Sequence, residues 1–289
     1  MEQILVAGEI FIGSKWSVGV EMASLRFDAS QRRFQLFLYS LVWLGSSFLL
    51  CSLSKAYLDT ANPFVRMPPE QRKRAHDPLL LGLSKLFMAY KLPPSLPSLL
   101  VCMTPIIFLT RALLSPSQKL VLLGRTFWLL GLGFLAQIPF TLMTRLPSPD
   151  PRCIPNPSPN IFIYTLELAL GLKHSCGDVV FSCFTLLFVS SALLWILNPC
   201  FNSPLQQSVN MVISGYALVG ILAQIGSQSH YTIDCVISIY VTVVSWCLYH
   251  YALRCEFSES SSIAWLVARL EHPVTNDYSP IDSNEDYLV

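Results

Sequence analysis

A histidine and a carboxylate lie four residues apart in the string S-H-Y-T-I-D at positions 229–234. On a helix this spacing places the side chains of His230 and Asp234 on one face. Asp234 can then accept a hydrogen bond from one imidazole nitrogen, which fixes the tautomer and raises the basicity of the other nitrogen. This is the orienter and base of a nucleophilic triad. A helix-capping polar pair at the water boundary is the alternative interpretation, and the two residues alone do not decide between them.

A second polar cluster lies in the string H-S-C-G-D-V-V-F-S-C-F-T at positions 174–185. It combines an imidazole, a thiol, a carboxylate and hydroxyl groups beside a long apolar stretch. Neither cluster has the paired Cys and His spacing that is typical of a bound metal. We therefore expect no metal and no cofactor at either of them.

The composition places these clusters in a membrane protein. Hydrophobic residues make up 53% of the 289 residues and charged residues 13%, and the mean hydropathy is +0.50. A soluble domain carries roughly 25% charged residues, so an ordinary soluble enzyme and a disordered tail are excluded. The net charge of +1 provides no field that would attract nucleic acid.

Charge-free stretches that are long enough to cross a bilayer predict an all-α membrane protein with six transmembrane helices. These stretches are 34–54, 92–110, 126–144, two within 179–229, and 235–253. Prolines and asparagines at 198–204 predict the turn between the two helices of the long stretch. Four prolines within 92–110 predict a kink, and 161–172 is too short to span.

The predicted organisation is a cytosolic segment 1–33, a transmembrane domain 34–254 and an acidic cytosolic tail 255–289. Basic residues before the first span favour a cytosolic N-terminus, although Lys and Arg summed over all loops do not decide the orientation. Six spans then place both polar clusters at one outer face, which favours a functional site there. Cys153 and Cys176 share an outer loop, where a disulfide can form in an oxidising compartment.

Together, the two strings resemble motifs of the sphingomyelin synthase family, which is related to the lipid phosphate phosphatases. That family has C-G-D-x-x-x-S-G-H-T at one helix start and H-Y-T-x-D at another. Here C-G-D-V-V-F-S-C-F-T at 176–185 is similar to the first, and H-Y-T-I-D at 230–234 matches the second. T-R-L-P-S-P at 144–149, followed by Cys153, and M-P-P-E at 67–70 are similar to further pieces. The resemblance covers roughly residues 34–254.

The resemblance implies a transferase of sphingolipid metabolism in the Golgi, the endoplasmic reticulum or the plasma membrane. Such an enzyme moves phosphocholine or phosphoethanolamine from phosphatidylcholine or phosphatidylethanolamine to ceramide and releases diacylglycerol. His230, assisted by Asp234, would activate the acceptor hydroxyl or form a phosphoenzyme. The residues that the resemblance assigns to substrate binding are Cys176, Gly177, Asp178, Ser182, Tyr231 and Gln137. These lipids are the expected partners; a homo-oligomer or a paralogue partner remains open.

Three positions depart from the family pattern. Phe184 replaces the second histidine, which handles proton transfer, and Cys183 replaces the glycine beside it. Phenylalanine cannot carry a proton, and general acid catalysis contributes roughly 10²–10⁴-fold to a rate. Gln137 stands where the family tends to have an arginine that could clamp phosphate. His174, in the outer loop, is a candidate substitute for the missing histidine.

Two functions from different classes follow from these residues. The first is a working head-group transferase, and the second is a catalytically impaired member that binds lipid or partners an active paralogue. A transporter is a remote third hypothesis, because the spans lack paired half-helices and a charge cluster at mid-depth. The sequence positions of the remaining histidines predict structural or solvated roles for His76, His250 and His272.

Overall fold

The computed structural model describes residues 2–61, 76–116, 118–144, 146–150, 153–176 and 180–254. The tail 255–289 and the M-P-P-E string lie outside the described residues, as do two predicted binding residues, Gly177 and Asp178. The described residues divide into two compact units, one with residues 2–38 and 251–254 and the other with residues 39–250. The predicted site residues belong to the second unit.

The described residues fold into α-helices, and none of them lies in a strand. In chain order the helices are α1 (Glu2–Ala61), α2 (Pro78–Ala89), α3 (Leu96–Val101), α4 (Thr104–Leu113), α5 (Lys119–Met143), α6 (Ile161–Ala169), α7 (Cys183–Leu197), α8 (Ser203–Gly226) and α9 (Thr232–Arg254).

Five helical stretches within the described residues are long and apolar enough to cross a membrane. They are Arg33–Ala61, Leu96–Leu113, Lys119–Met143, Ser203–Gly226 and Thr232–Leu253. These stretches coincide with five of the six predicted spans, and the predicted all-α membrane fold is confirmed. The remaining predicted span corresponds to α7, whose 15 residues give a length of about 22 Å. A hydrocarbon layer is about 30 Å thick, so this helix is shorter than predicted.

Helix α7 can be short because protein surrounds most of it. Nine of its side chains are buried, among them Phe188 and Leu194, and it packs against α3, α4, α5 and α8. The outward surface of other helices is apolar, and Val42, Met211 and Val212 are more than two-thirds exposed there. Such a surface suits lipid, which is as apolar as these side chains.

Two irregularities of the helices, the first predicted and the second not, have local causes. The predicted kink in the span 92–110 is present as a break between α3 and α4, because Pro105 lies in the first turn of α4. Helix α2 lies in a stretch that the sequence predicts as an outer loop. Lys85, which is exposed, interrupts that apolar run, so a search for charge-free stretches does not find the helix.

Gly220 allows α8 to approach α7 closely. A Cβ atom added at Gly220 would lie 2.6 Å from the ring of Phe188, whereas one added at Gly215 in the same helix would meet nothing within 4 Å. We expect Gly220→Ala to lower the free energy of unfolding by about 1–3 kcal/mol through overpacking. Gly215→Ala is the matched control and should raise it by up to about 1 kcal/mol, since alanine is the better helix former. Thermal unfolding in detergent compares the two, and equal destabilisation would contradict this packing.

A disulfide joins Cys153 to Cys176, and their Cα atoms lie 5.7 Å apart. The two residues flank α6, whose nine residues are too few to span, as predicted for this segment. Beside α6, Lys173 pairs with Glu167 at 2.9 Å. Hydrogen bonds from Lys173 and Ser158 lower the pKa of the Glu167 carboxyl. The disulfide and this ion pair hold the loop around α6.

Candidate functional site

The predicted pair lies at the start of α9. His230 Nδ1 is 3.7 Å from Asp234 Oδ2, and the side chain of His230 is 11% exposed while that of Asp234 is fully buried. Among the described residues, His230 Nδ1 has no hydrogen-bond partner. A separation slightly longer than a hydrogen bond is common in catalytic pairs without substrate, and it tightens when substrate is bound. The carboxylate therefore faces the nitrogen that it would orient.

Asp234 has a structural role at the same helix start. Its Oδ2 atom accepts a hydrogen bond from the N–H group of Tyr231 at 2.7 Å. An acidic residue in the third helical position commonly satisfies the N–H group just before the helix in this way. One oxygen thus caps α9 and faces the imidazole of His230. This geometry is compatible with both interpretations of the four-residue spacing, a catalytic pair and a helix-capping pair.

A second carboxylate, Asp77, ties the start of α2 to the start of α9. Asp77 Oδ2 accepts from the N–H group of Thr232 at 2.7 Å, and Oδ1 accepts from the Thr232 hydroxyl at 2.9 Å and from the N–H group of Leu80 at 3.0 Å. Burial alone would raise the pKa of Asp77, but these hydrogen bonds outweigh it and hold the pKa below its usual value. Asp77 is therefore ionised at neutral pH and stabilises both helix starts.

An open cavity of about 310 Å³ lies between these two helix starts. The residues that line it are His76, Asp77, Pro78, Leu146, Tyr231, Thr232, Ile233 and Val236. The hydroxyl of Tyr231 donates to the backbone oxygen of Pro147 at 3.1 Å. The L-P-S-P segment and the H-Y-T-I-D string, which are distant in sequence, thus meet at this cavity.

The second cluster is joined to the first through the start of α7. The N–H group of Ser182 donates to Ser238 Oγ at 2.7 Å, and that hydroxyl donates to the backbone oxygen of Asp234 at 2.8 Å. The hydroxyl of Ser182 donates to Gln224 Oε1 at 2.6 Å and accepts from the N–H group of Thr185 at 3.2 Å. Ser182 is fully buried, so its groups link α7, α8 and α9 at one end of the bundle.

The other predicted residues lie in different surroundings. Gln137 is fully buried, and its Nε2 donates to the backbone oxygen of Phe181 at 3.1 Å. Phe184 is partly buried against the cluster formed by Phe188, Ala192 and Ala217. His174 is exposed in the loop that follows α6. Cys176 is buried, and it is covalently held by the disulfide.

Two ionisable side chains near the end of α1, Asp59 and Lys55, are part of this region, although the sequence motifs did not single them out. Asp59 is fully buried and accepts from the Tyr164 hydroxyl at 2.8 Å and from the N–H group of Cys176 at 3.2 Å. Burial and the Asp59 charge raise the pKa of Tyr164. Lys55 Nζ lies 3.9 Å from Cys183 Sγ. Ionisable residues at the end of an apolar helix are a signal that could have found them.

The arrangement can support nucleophilic or general-base chemistry. Asp234 faces Nδ1 of His230, so Nε2 is the nitrogen that can bond to a substrate atom or take its proton. In the part of the chain that the structure describes, no three His, Cys, Asp or Glu side chains lie close enough together to hold a metal ion.

The segment that holds this site matches a known family. Residues 175–251 match the model of the PAP2 superfamily C-terminal domain. This segment contains α7, α8 and most of α9, and therefore both the His230–Asp234 pair and the Ser182 links.

Two relatives act on ceramide according to their names. The chain is 30% identical over 111 residues to a phosphatidylinositol:ceramide inositolphosphotransferase of Trypanosoma cruzi (strain CL Brener), a match that covers 36% of this chain and 32% of the relative. It is 28% identical over 111 residues to a phosphatidylethanolamine:ceramide ethanolaminephosphotransferase of Trypanosoma brucei brucei, covering 36% and 33%. The chain thus spans about a third of the length of these relatives. At 28–30% identity, these matches confirm the family resemblance that the motifs indicate.

Proposed function

We propose that this integral membrane protein, a divergent relative of the ceramide phosphotransferases with a PAP2 superfamily C-terminal domain, transfers a phosphate-linked head group to ceramide. The donor is a glycerophospholipid, and the second product is diacylglycerol. The observation that most directly supports this function is the His230–Asp234 pair at the start of α9, which lies inside the matched segment. The residues next to His230 along the chain, Tyr231 and Thr232, line an open cavity.

In the proposed mechanism His230 Nε2 attacks the phosphorus of the donor, and Asp234 stabilises the positive charge that develops on the imidazole. The head group is then held on His230 until the primary hydroxyl of ceramide takes it. Each half of the reaction moves one proton, first to the oxygen of the leaving diacylglycerol and then from the ceramide hydroxyl. Both transfers need a second ionisable group near the phosphorus.

The orientation belongs to the same proposal. Both termini are placed in the cytosol, and the site faces the lumen or the outside of the cell. The disulfide between Cys153 and Cys176 supports this orientation, because disulfides persist in oxidising compartments and Cys176 precedes the start of α7 by only a few residues. The Golgi, the endoplasmic reticulum and the plasma membrane all offer such a compartment.

Phe184 favours a second candidate function, in which the protein binds lipid without turning it over. Phe184 packs against the apolar cluster of Phe188, Ala192 and Ala217, so an apolar side chain in an apolar environment occupies the position of the family's proton-transfer histidine. In this case the only role of the His230–Asp234 pair would be to cap the start of α9. The protein would then act by holding ceramide or phospholipid, or by pairing with an active paralogue.

The experiment that separates these functions is expression in cells that lack ceramide head-group transfer. Labelled ceramide is supplied, and membranes are assayed with phosphatidylcholine, phosphatidylethanolamine or phosphatidylinositol as donor. Transfer predicts a labelled phosphosphingolipid and an equal amount of diacylglycerol with at least one donor. No product from the wild-type chain at normal expression, together with product from the double variant Cys183→Gly and Phe184→His, would instead support the binding function.

A further inference from the structure

The cavity between α2 and α9 opens toward the bilayer. Ile233 and Val236 form one wall, and each of these side chains is about half exposed. Tyr240, which is 69% exposed, follows them at the spacing of one helix face. These residues belong to the stretch Thr232–Leu253, which is long and apolar enough to cross a membrane. Their exposed face therefore contacts the acyl chains of the surrounding lipid.

Apolar side chains form much of the lining. Besides Ile233 and Val236, the cavity is lined by Pro78 at the start of α2 and by Leu146 in the L-P-S-P segment. Hydrocarbon is favoured in such a space, because its entry removes apolar surface from water. Binding sites for small molecules commonly combine apolar walls of this kind with a few polar groups. The open volume of about 310 Å³ thus suits a segment of a lipid chain that enters from the bilayer.

The polar end of the cavity favours an uncharged head group. The starts of α2 and α9 meet there, and helix starts attract anions such as phosphate. The ionised carboxylate of Asp77 already takes this place, because it accepts from the N–H groups of Leu80 and Thr232 and from the Thr232 hydroxyl at 2.7–3.0 Å. A phosphate group would meet a like charge beside donors that are already engaged. A neutral lipid does not meet this repulsion.

The hydroxyl groups of two lining residues need a ligand that donates hydrogen bonds. The Thr232 hydroxyl donates to Asp77 Oδ1 at 2.9 Å, and the Tyr231 hydroxyl donates to the backbone oxygen of Pro147 at 3.1 Å. Toward a ligand, each hydroxyl oxygen therefore keeps only its capacity to accept. Ceramide offers uncharged donors through its hydroxyl groups and its amide N–H group. Diacylglycerol has a single hydroxyl, and phosphatidylcholine has no hydrogen-bond donor.

We propose that this cavity binds ceramide, with a hydrocarbon chain between α2 and α9 and the head group beside the exposed imidazole of His76. The proposal rests on the proposed function, in which ceramide is a ligand of this protein. The site is separate from the reacting groups, because neither His230 nor Asp234 lines the cavity. Its effect on them is indirect. Bound ceramide packs on Tyr231, whose N–H group donates to Asp234 Oδ2 at 2.7 Å, and thereby stabilises the start of α9.

The test is photo-crosslinking of the full chain in reconstituted membranes. Three probes carry the same diazirine-bearing acyl chain, on ceramide, on diacylglycerol and on phosphatidylcholine. We expect the ceramide probe to label peptides with residues 76–78 and 231–236 about tenfold more than the other two, the ratio that one or two net hydrogen bonds supply. Val236→Trp fills the cavity and should abolish this preference. Val212→Trp, on the exposed apolar surface of α8, is the matched control and should keep it.

The outcomes separate this site from the transfer reaction. Equal labelling by ceramide and phosphatidylcholine would show an ordinary contact with lipid, and labelling by diacylglycerol as strong as by ceramide would show that the amide is not recognised; either result overturns the proposal. A ceramide preference that survives in Val236→Trp, with thermal unfolding like that of Val212→Trp, would also overturn it. Labelling needs no turnover, so a chain that shows the preference but transfers no head group keeps this site and loses only the proposed transfer.

Discussion

Replacing His230 with alanine is expected to reduce head-group transfer by about 10⁴-fold or more, since loss of a nucleophile or its base removes most of the catalysis of such a group. The imidazole is mostly buried and faces Asp234 Oδ2 at 3.7 Å, so the alanine variant removes the group that this carboxylate would orient. The measurement is the rate of labelled phosphosphingolipid formation in membranes that contain equal amounts of each variant.

The control for His230→Ala is His250→Gln, which lies within α9. The His250 ring bonds to the backbone oxygen of Trp246, near the other end of α9, and we expect this variant to keep most of the activity. Transfer that survives His230→Ala at a similar rate would refute the proposed mechanism. It would also leave the His230–Asp234 pair with a capping role only.

Asp234→Asn should separate the two roles of this carboxylate. The amide oxygen of asparagine can still accept from the N–H group of Tyr231, so the start of α9 and the thermal stability should be kept. Asparagine cannot stabilise an imidazolium, and the corresponding change in serine-protease triads lowers kcat by about 10⁴-fold. We therefore expect a loss of transfer of that order with little change in the unfolding temperature.

Asp234→Ala removes both roles and completes the comparison. It should lose transfer to the same extent and should also lose about 1 kcal/mol of stability, which is typical for removal of a helix cap. If Asp234→Asn keeps full activity while Asp234→Ala is unstable and inactive, the carboxylate serves only as a cap. Transfer rates and thermal unfolding, measured on the same preparations, distinguish these cases.

Local patterns predicted the parts of this molecule that depend on short stretches of sequence. Long stretches without charged residues predicted five full membrane spans. The spacing of four residues predicted the His230–Asp234 pair. The kink in 92–110 follows from proline chemistry and is present as the break before Pro105. Each of these features depends on interactions between residues that are close in the sequence, so a single sequence is sufficient to predict it.

Contacts between distant segments were not predictable in the same way. The hydrogen bonds from Thr232 to Asp77 and from Tyr164 to Asp59 each join residues more than a hundred positions apart. A single sequence gives no record of such pairs, and the sequence therefore predicted only a structural or solvated role for His76. The Asp-Pro pair at 77–78 is a helix-start signal that could have indicated α2 despite Lys85.

The shortness of α7 also affects the electrical environment of the chemistry. Helix α7 is about 22 Å long, whereas the hydrocarbon layer is about 30 Å thick. Its two ends therefore cannot both reach a lipid–water boundary. We therefore expect loops and polar side chains to fill the remaining depth and to give the site a higher dielectric constant than the surrounding hydrocarbon layer. A donor lipid could then tilt its phosphate toward this site while its acyl chains stay among their neighbours, without the cost of extracting a whole lipid.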